Sequence, residues 1–245
     1  AFVKFNVVGN GTIDSITFKR KGIGATGDFG SSGIYLYDGN TRLTNGRSLN
    51  STTHEAQFVN LGLQVSGTRT ITLVADVATG ATTGNQDYFE LSGITGTPNP
   101  TGTVVGKAFT IAGQQAGGLV VASGAAPTNP KVGQQAVKIA EFTLTASSTE
   151  DVEVRRLSIT EGGTIANAQL TNLMLKQAGN VLATASGIGA KDLMVFALNS
   201  PFSLEKGQNR TFEVWGDVGG AARADDTIVL YFDSSSDVYG VGKTY

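Results

Sequence analysis

The nine residues RTITLVADV at positions 69–77 return as RTFEVWGDV at positions 210–218, 141 residues later. A phrase repeated at that distance restricts the fold more than any bulk property, because it implies that one supersecondary unit occurs twice. The match extends in both directions. IYLYDGNTRL (34–43) is answered by LMLKQAGNVL (173–182), each a short strand closing in a Gly-Asn turn. FVKFNVVGNGTIDSITFKRKG (2–22) is answered by IAEFTLTASSTEDVEVRRLSITEG (139–162), and DYFELSG (87–93) by TIVLYFD (227–233). HEAQFVNLGLQVSGTRT (54–70) likewise matches DLMVFALNSPFSLEKGQNRT (192–211). The offset stays between about 137 and 141 residues, drifting at turns, where insertions disturb least.

Within each copy the side-chain period is two. Ile71, Leu73, Ala75 and Val77 share one face of the first phrase, and Thr70, Thr72, Val74 and Asp76 the other. Phe212, Val214, Gly216 and Val218 oppose Thr211, Glu213, Trp215 and Asp217 in the second. One apolar and one mixed face is the pattern of a half-buried antiparallel strand. Strands of this kind recur between Gly-Asn, Asp-Gly and Asn-Gly turns, and the 33 glycines among 245 residues fit so many turns. The reading is an all-β chain of two tandem Ig-like antiparallel β-sandwich domains arising from an internal duplication. Helical spacing in TIANAQLTNLMLK is not shared by its counterpart ATGDFGSSGIYLY, so both read as a loop followed by a strand. The domains expected are 1–106 and 107–245, the second carrying extra N-terminal strands in 107–137. The first copy has no such leading strands, which leaves it an edge that a strand from a neighbouring subunit could cover, the alternative being that the strands in 107–137 belong to the first sandwich and simply lead onward. Phe2, Val3 and Phe5 are the interface candidates there.

A charged fraction of 16% against 40% apolar residues excludes intrinsic disorder. With net charge −2 and Lys19-Arg20-Lys21 as the one cationic run, read as a solvated strand end, no nucleic-acid partner is expected. Cysteine is absent, which removes disulfides, thiol nucleophiles and Cys-ligated zinc. No apolar run of about 18 residues is present, so no membrane insertion is expected. Ala1–Phe5 reads as a strand rather than a signal peptide, so an exported chain would here be in processed form or an excised piece.

Little chemistry is encoded. His54 is the single histidine and stands without a Gly-x-Ser-x-Gly elbow, so it reads as a surface residue and the chain as a non-enzyme. Calcium needs only oxygen ligands, and Asp225, Asp226, Asp233 and Asp237 lie within 13 residues. They are the candidates for a structural Ca²⁺, against the alternative of turn-forming aspartates. No other cofactor is expected. Asp76 and Asp217 are kept by both copies and read as structural carboxylates that cap turn amides. Trp215 stands on the mixed face where the first copy has Val74, as a stacking or interface residue.

The order EFTLTASSTEDVEVRRLSI, LTNLMLKQAGNVLAT, FSLEKGQNRTFEVWGDV resembles tandem β-sandwich repeats of large secreted bacterial surface proteins, including S-layer-like proteins of candidate-phylum lineages. The second copy carries the pattern through Lys206, Gly207, Thr211, Val214, Asp217 and Val218; the first is looser, with Ser66 in place of Lys206. The resemblance implies an exported, non-enzymatic, assembly-forming protein, and it transfers no functional residue. The function expected is therefore a structural subunit of an extracellular filament or layer whose partners are copies of itself. The alternative is an adhesin or carbohydrate-binding module that engages cell-surface glycans, with Trp215, Tyr35 and Tyr37 as stacking residues.

Overall fold

The computed structural model describes residues 1–113 and 116–244; Gln114, Gln115 and Tyr245 of the expected second domain lie outside the described residues. It is all-β: among the described residues the helical pieces are single 3₁₀ turns. The chain divides into two compact units, Ala1–Gly113 and Gln114–Tyr245, each with its own buried core.

The first unit contains β1 (Val3–Gly22), β2 (Phe29–Asp38), β3 (Thr41–Arg42), β4 (Glu55–Phe58), β5 (Leu63–Val77), β6 (Gln86–Thr97) and β7 (Phe109–Thr110). These form one antiparallel sheet in the order β3-β2-β5-β1-β6-β7, with β4 also on β1. The sheet folds over itself because the 20-residue β1 serves both layers. Its first half pairs with β5, and its second half with β6 and β4. Register shifts at Ile13/Ser15 and Thr17/Phe18 bend the strand between these duties. Ile16, Phe18, Ile34, Leu36, Phe58, Ile71, Leu73 and Phe89 form a fully buried core between the layers. β7 belongs to this unit: it pairs with Gln86 and Asp87, and Phe109 sets its ring 4.9 Å from that of Phe2.

The second unit contains β8 (Leu119–Ser123), β9 (Val137–Ala146), β10 (Val152–Glu161), β11 (Leu170–Gln177), β12 (Asn180–Ala185), β13 (Leu193–Leu204), β14 (Asn209–Val218), β15 (Leu230–Tyr231) and β16 (Val238–Gly242). One sheet runs β12-β11-β14-β9-β8, and a second sets β13, β15 and β16 on β10. The path that β1 takes in one piece is broken here at residues 147–151, so the two layers are separate sheets. Leu144, Val154, Leu157, Leu173, Phe196 and Phe212 fill the space between them.

The two units share a pairing register. Val3 faces Leu73 and Phe5 faces Ile71, as Ala140 faces Val214 and Phe142 faces Phe212. On the other side of the repeated phrase, Tyr35 faces Val74 and Leu36 faces Leu73, as Met174 faces Trp215 and Leu175 faces Val214. Identical spacing of the apolar positions explains this, since slipping by one residue would turn every core side chain outward.

One charged run departs from its expected place. Lys19-Arg20-Lys21 is not a uniformly solvated strand end: period two puts Arg20 on the same inward face as Ile16 and Phe18, and only 7% of it is exposed. Its guanidinium Nη1 donates to Asp87 Oδ1 at 2.8 Å, while the outward Lys21 pairs with Glu90 at 3.0 Å.

Candidate functional site

The feature of the first unit that invites a partner is an edge. The residues of β1 from Val3 to Gly11 pair with β5, and among the described residues no other strand pairs with them. In the second unit the matching strand, β9, has both edges filled: β14 on one and β8 on the other. β8 takes the stretch Phe142–Ala146, whose register equivalents in β1 are Phe5–Gly9.

Beside the open edge runs a groove of about 410 Å³. One wall is β1 from Phe5 to Ile13; the other is the stretch 97–104, with Leu91 and Ile94 of β6 between them. No charged residue is among its described lining. At one end the walls meet: a Cβ on Gly11 would lie 2.3 Å from the Thr97 carbonyl oxygen, so only glycine permits the approach there. Val8, in the open stretch, is 75% exposed. The geometry is therefore an unpaired backbone edge beside a groove of mixed polar and apolar lining with no charge to solvate.

The interface candidates divide differently from expectation. Val3 and Phe5 point inward and are core residues, and Phe2 packs edge-to-face on Phe29, Phe89 and Phe109. Alternation spends their side chains inside, so what the segment offers a partner is its backbone edge and Val8.

Asp217 lies opposite an irregularity in β11 between Thr171 and Met174. Its Oδ1 accepts from the Ala136 amide at 2.7 Å and its Oδ2 from Asn172 Nδ2 at 2.6 Å. Both partners hold left-handed backbone, φ 48° and 51°. The carboxylate thus fastens two unfavourable conformations, and these bonds hold its pKa below the usual range. Asp76 lies opposite the corresponding irregularity in β2 between Phe29 and Ile34, where its Cβ would sit 2.9 Å from a Cβ added to Gly33.

Trp215 is half-buried on the outer face of its sheet. Its Nε1 donates to Glu213 Oε2 at 2.9 Å, and Lys176 Nζ sits 4.1 Å from the ring centroid. Glu213 continues to Lys138 at 3.4 Å, and Lys138 to Glu141 at 2.6 Å. The indole is thus held within a charged ladder across three strands. Tyr35 and Tyr37 are not available for stacking, being 6% and 2% exposed. Residues 43–47 run along the edge of β2, with Thr44 Oγ1 accepting the Leu36 amide and Arg47 bridging to Ile34, and they bring Gly46 against the Tyr35 ring.

The calcium candidates are not brought together. Asp226 accepts the Arg223 amide within its own turn, Asp225 stands beside it at φ 75°, and the fully buried Asp237 accepts the Ser234 amide in another turn. Among the described residues no group of three or more His, Cys, Asp or Glu is placed to hold a metal ion. His54 Nδ1 lies 2.8 Å from Thr26 Oγ1.

The polar cluster that the sequence did not announce is Arg20, Asp28 and Asp87. Asp28, 2% exposed, accepts from the amides of Ala25 and Thr82 and from Asn85 Nδ2. Burial pushes its carboxyl upward, but those bonds and the Arg20 charge outweigh it and leave the pKa lowered. For Asp87 burial prevails over Arg20, and the neighbouring Asp28 adds to the rise, so its pKa is raised. Among the described residues, Asp87 Oδ2 and Arg20 Nε find no hydrogen-bond partner. The cluster ties β1 to β6 beneath the turn at Thr26–Asp28 and opens on no groove described for this unit.

No helix among the described residues is long and apolar enough to cross a membrane. No protein family and no curated protein matches the chain. Among solved structures, a fucolectin from striped bass (Morone saxatilis) serum aligns with 88% of this chain and 82% of its own, at 12% identity and TM-score 0.22. A putative membrane anchored protein from Corynebacterium diphtheriae aligns with 82% of this chain and 50% of its own, at 8% identity and TM-score 0.22. An anti-sigma factor domain-containing protein aligns with 93% and 77%, at 10% identity and TM-score 0.18. Likenesses at these scores carry no argument about what this chain does.

Proposed function

We propose that this chain is a structural subunit of an extracellular surface assembly, a filament or layer, in which copies associate through the edges of their β-sandwiches. In this reading it is not an enzyme. Its two units are copies of one Ig-like sandwich that arose by internal duplication, a view supported by the shared register around the repeated phrase. The single observation that carries the functional reading is the open β1 edge beside an uncharged groove, on a strand whose equivalent in the second unit has that edge covered.

An exposed strand edge is a template for pairing with another chain, and main-chain hydrogen bonds across it supply affinity while adjoining pockets supply register. The test is the state of association. Sedimentation and electron microscopy across a concentration series should show concentration-dependent oligomers with a regular repeat. Val8→Lys, at a position 75% exposed, should abolish them without changing the fold, because a lysine on an edge opposes pairing. A wild-type chain that stays monomeric at millimolar concentration would overturn the reading. If such a monomer also bound a glycan array through Trp215, the carbohydrate-binding alternative would replace it.

A further inference from the structure

The donor strand can be named. We propose that the β1 groove accepts β8, Leu119–Ser123, of a second copy of this chain, in the register that β8 keeps on β9. This deepens the assembly reading above and rests on it.

Three observations lead to β8. The first is positional. Leu119, Val120, Val121, Ala122 and Ser123 face Ala146, Thr145, Leu144, Thr143 and Phe142. Through the shared register those positions correspond to Gly9, Val8, Val7, Asn6 and Phe5. The proposed contact therefore sets Val120 opposite Val8 and Val121 opposite Val7, and it needs no geometry the fold does not already use.

The second observation is charge. The groove's described lining carries none, and β8 lies in the uncharged stretch 108–130, bounded by Lys107 and Lys131. Burying a charged strand against such walls would be costly, whereas this one brings only apolar and small polar side chains.

The third is that β8 is a short strand at the edge of its sheet, although Leu119 and Val121 pack against the second core. None of its five residues is fully buried, and Val120 is 65% exposed. No strand is described in 124–136, so that flank can span roughly 40 Å when extended, at about 3.3 Å per residue. Donation breaks the ladder on β9, the bonds of Gly117 to Glu150, of Gly118 to Ser147 and of Gly124 and Ala125 to Glu141, and the packing of Leu119 and Val121 on the second core, and it rebuilds the ladder on β1. In the groove the strand meets Leu91, Ile94 and Val104. The exchange thus trades one ladder for another between two copies, so it responds to concentration, as strand exchange between protomers does.

The chain has no cysteine, so introduced pairs can be read without background. Residues opposite one another in an antiparallel ladder have Cα atoms about 4.5–5.5 Å apart, within disulfide range. The double variant Val8→Cys, Val120→Cys should give disulfide-linked oligomers on oxidation, with the 8–120 cross-link identified by mass spectrometry. The double variant Val120→Cys, Thr145→Cys should lock β8 onto β9 when oxidised. Both sites lie off the core, and the reduced form of each variant is its own folding control. Oxidation of the lock should lower assembly at least tenfold, and reduction should restore it. Assembly that persists with β8 locked would overturn the proposal while leaving edge association intact. An 8–120 disulfide formed only within one chain would overturn the second-copy occupant. Reduced variants and wild type that never associate would overturn both this inference and the reading beneath it.

Discussion

The buried pair Arg20–Asp87 gives the sharpest test of how the first unit is held together. The two side chains are 7% and 2% exposed, and their bond joins β1 to β6 across 67 residues of sequence. Asp87→Ala leaves a guanidinium inside with its strongest acceptor gone. Removing one partner of a buried ion pair costs about 3–5 kcal/mol, because the other charge stays desolvated. With a urea slope of about 2 kcal/mol per M, that loss moves the unfolding midpoint of the first unit down by about 1.5–2.5 M. Trp215 is the chain's single tryptophan and belongs to the second unit. Far-UV circular dichroism should therefore show an early transition in the variant, while tryptophan fluorescence keeps the wild-type midpoint. The pH dependence has a defined sign. The Asp87 pKa is raised, so its contribution is present below the unfolded value and lost as pH rises through the folded one. The Asp28 pKa is lowered, so its contribution is present above the unfolded value and lost as pH falls through the folded one. In the wild type these oppose each other on acidification. Asp87→Asn removes the opposing contribution, so the first unit should lose stability more steeply than wild type below about pH 4. A midpoint shift under 0.5 M in Asp87→Ala, on the order of 1 kcal/mol, would refute the claim that the pair is structurally necessary.

The second unit should respond in the complementary way. Phe212 is fully buried, stacked on Phe142 at 5.6 Å and edge-on to Phe202 at 5.2 Å, so Phe212→Ala should cost about 3–5 kcal/mol and lower the tryptophan transition selectively. Asp217→Asn should accelerate hydrogen exchange at the Ala136 amide, measured by NMR. Because the Asp217 pKa is lowered, the wild type should also lose stability as pH falls through its folded value, a loss the variant should lack. Lys176→Ala removes the cation over the indole, which should red-shift Trp215 emission and cost about 0.5–1 kcal/mol in the same unfolding assay.

Much of the architecture was legible because it is periodic. Alternation around positions 69–77 and 210–218 located two core strands, and the matched turns placed their neighbours. What was not legible lay at long range. Arg20 sits in a run that looks solvated, and nothing local announces Asp87, although the inward spacing from Ile16 through Phe18 to Arg20 was already in the sequence. Tyr35 and Tyr37 alternate as an exposed strand would, yet a later segment runs along β2 and both are buried. Of the strands read in 107–137, β7 joins the first unit and β8 the second, and the groove beside the open β1 edge exists only once 97–104 has folded opposite β1.

The character of that edge is itself an argument. Strand edges left to solvent are normally blunted with charge or proline, since an unprotected one recruits other chains. From Phe5 to Ile13 β1 reads FNVVGNGTI, without a charge or a proline, and Lys4 lies just outside the stretch. The prolines at 98 and 100 stand on the opposite wall, where they form the groove rather than protect the strand. The edge is thus left unprotected, and β8 is the strand that the other unit already uses in that place.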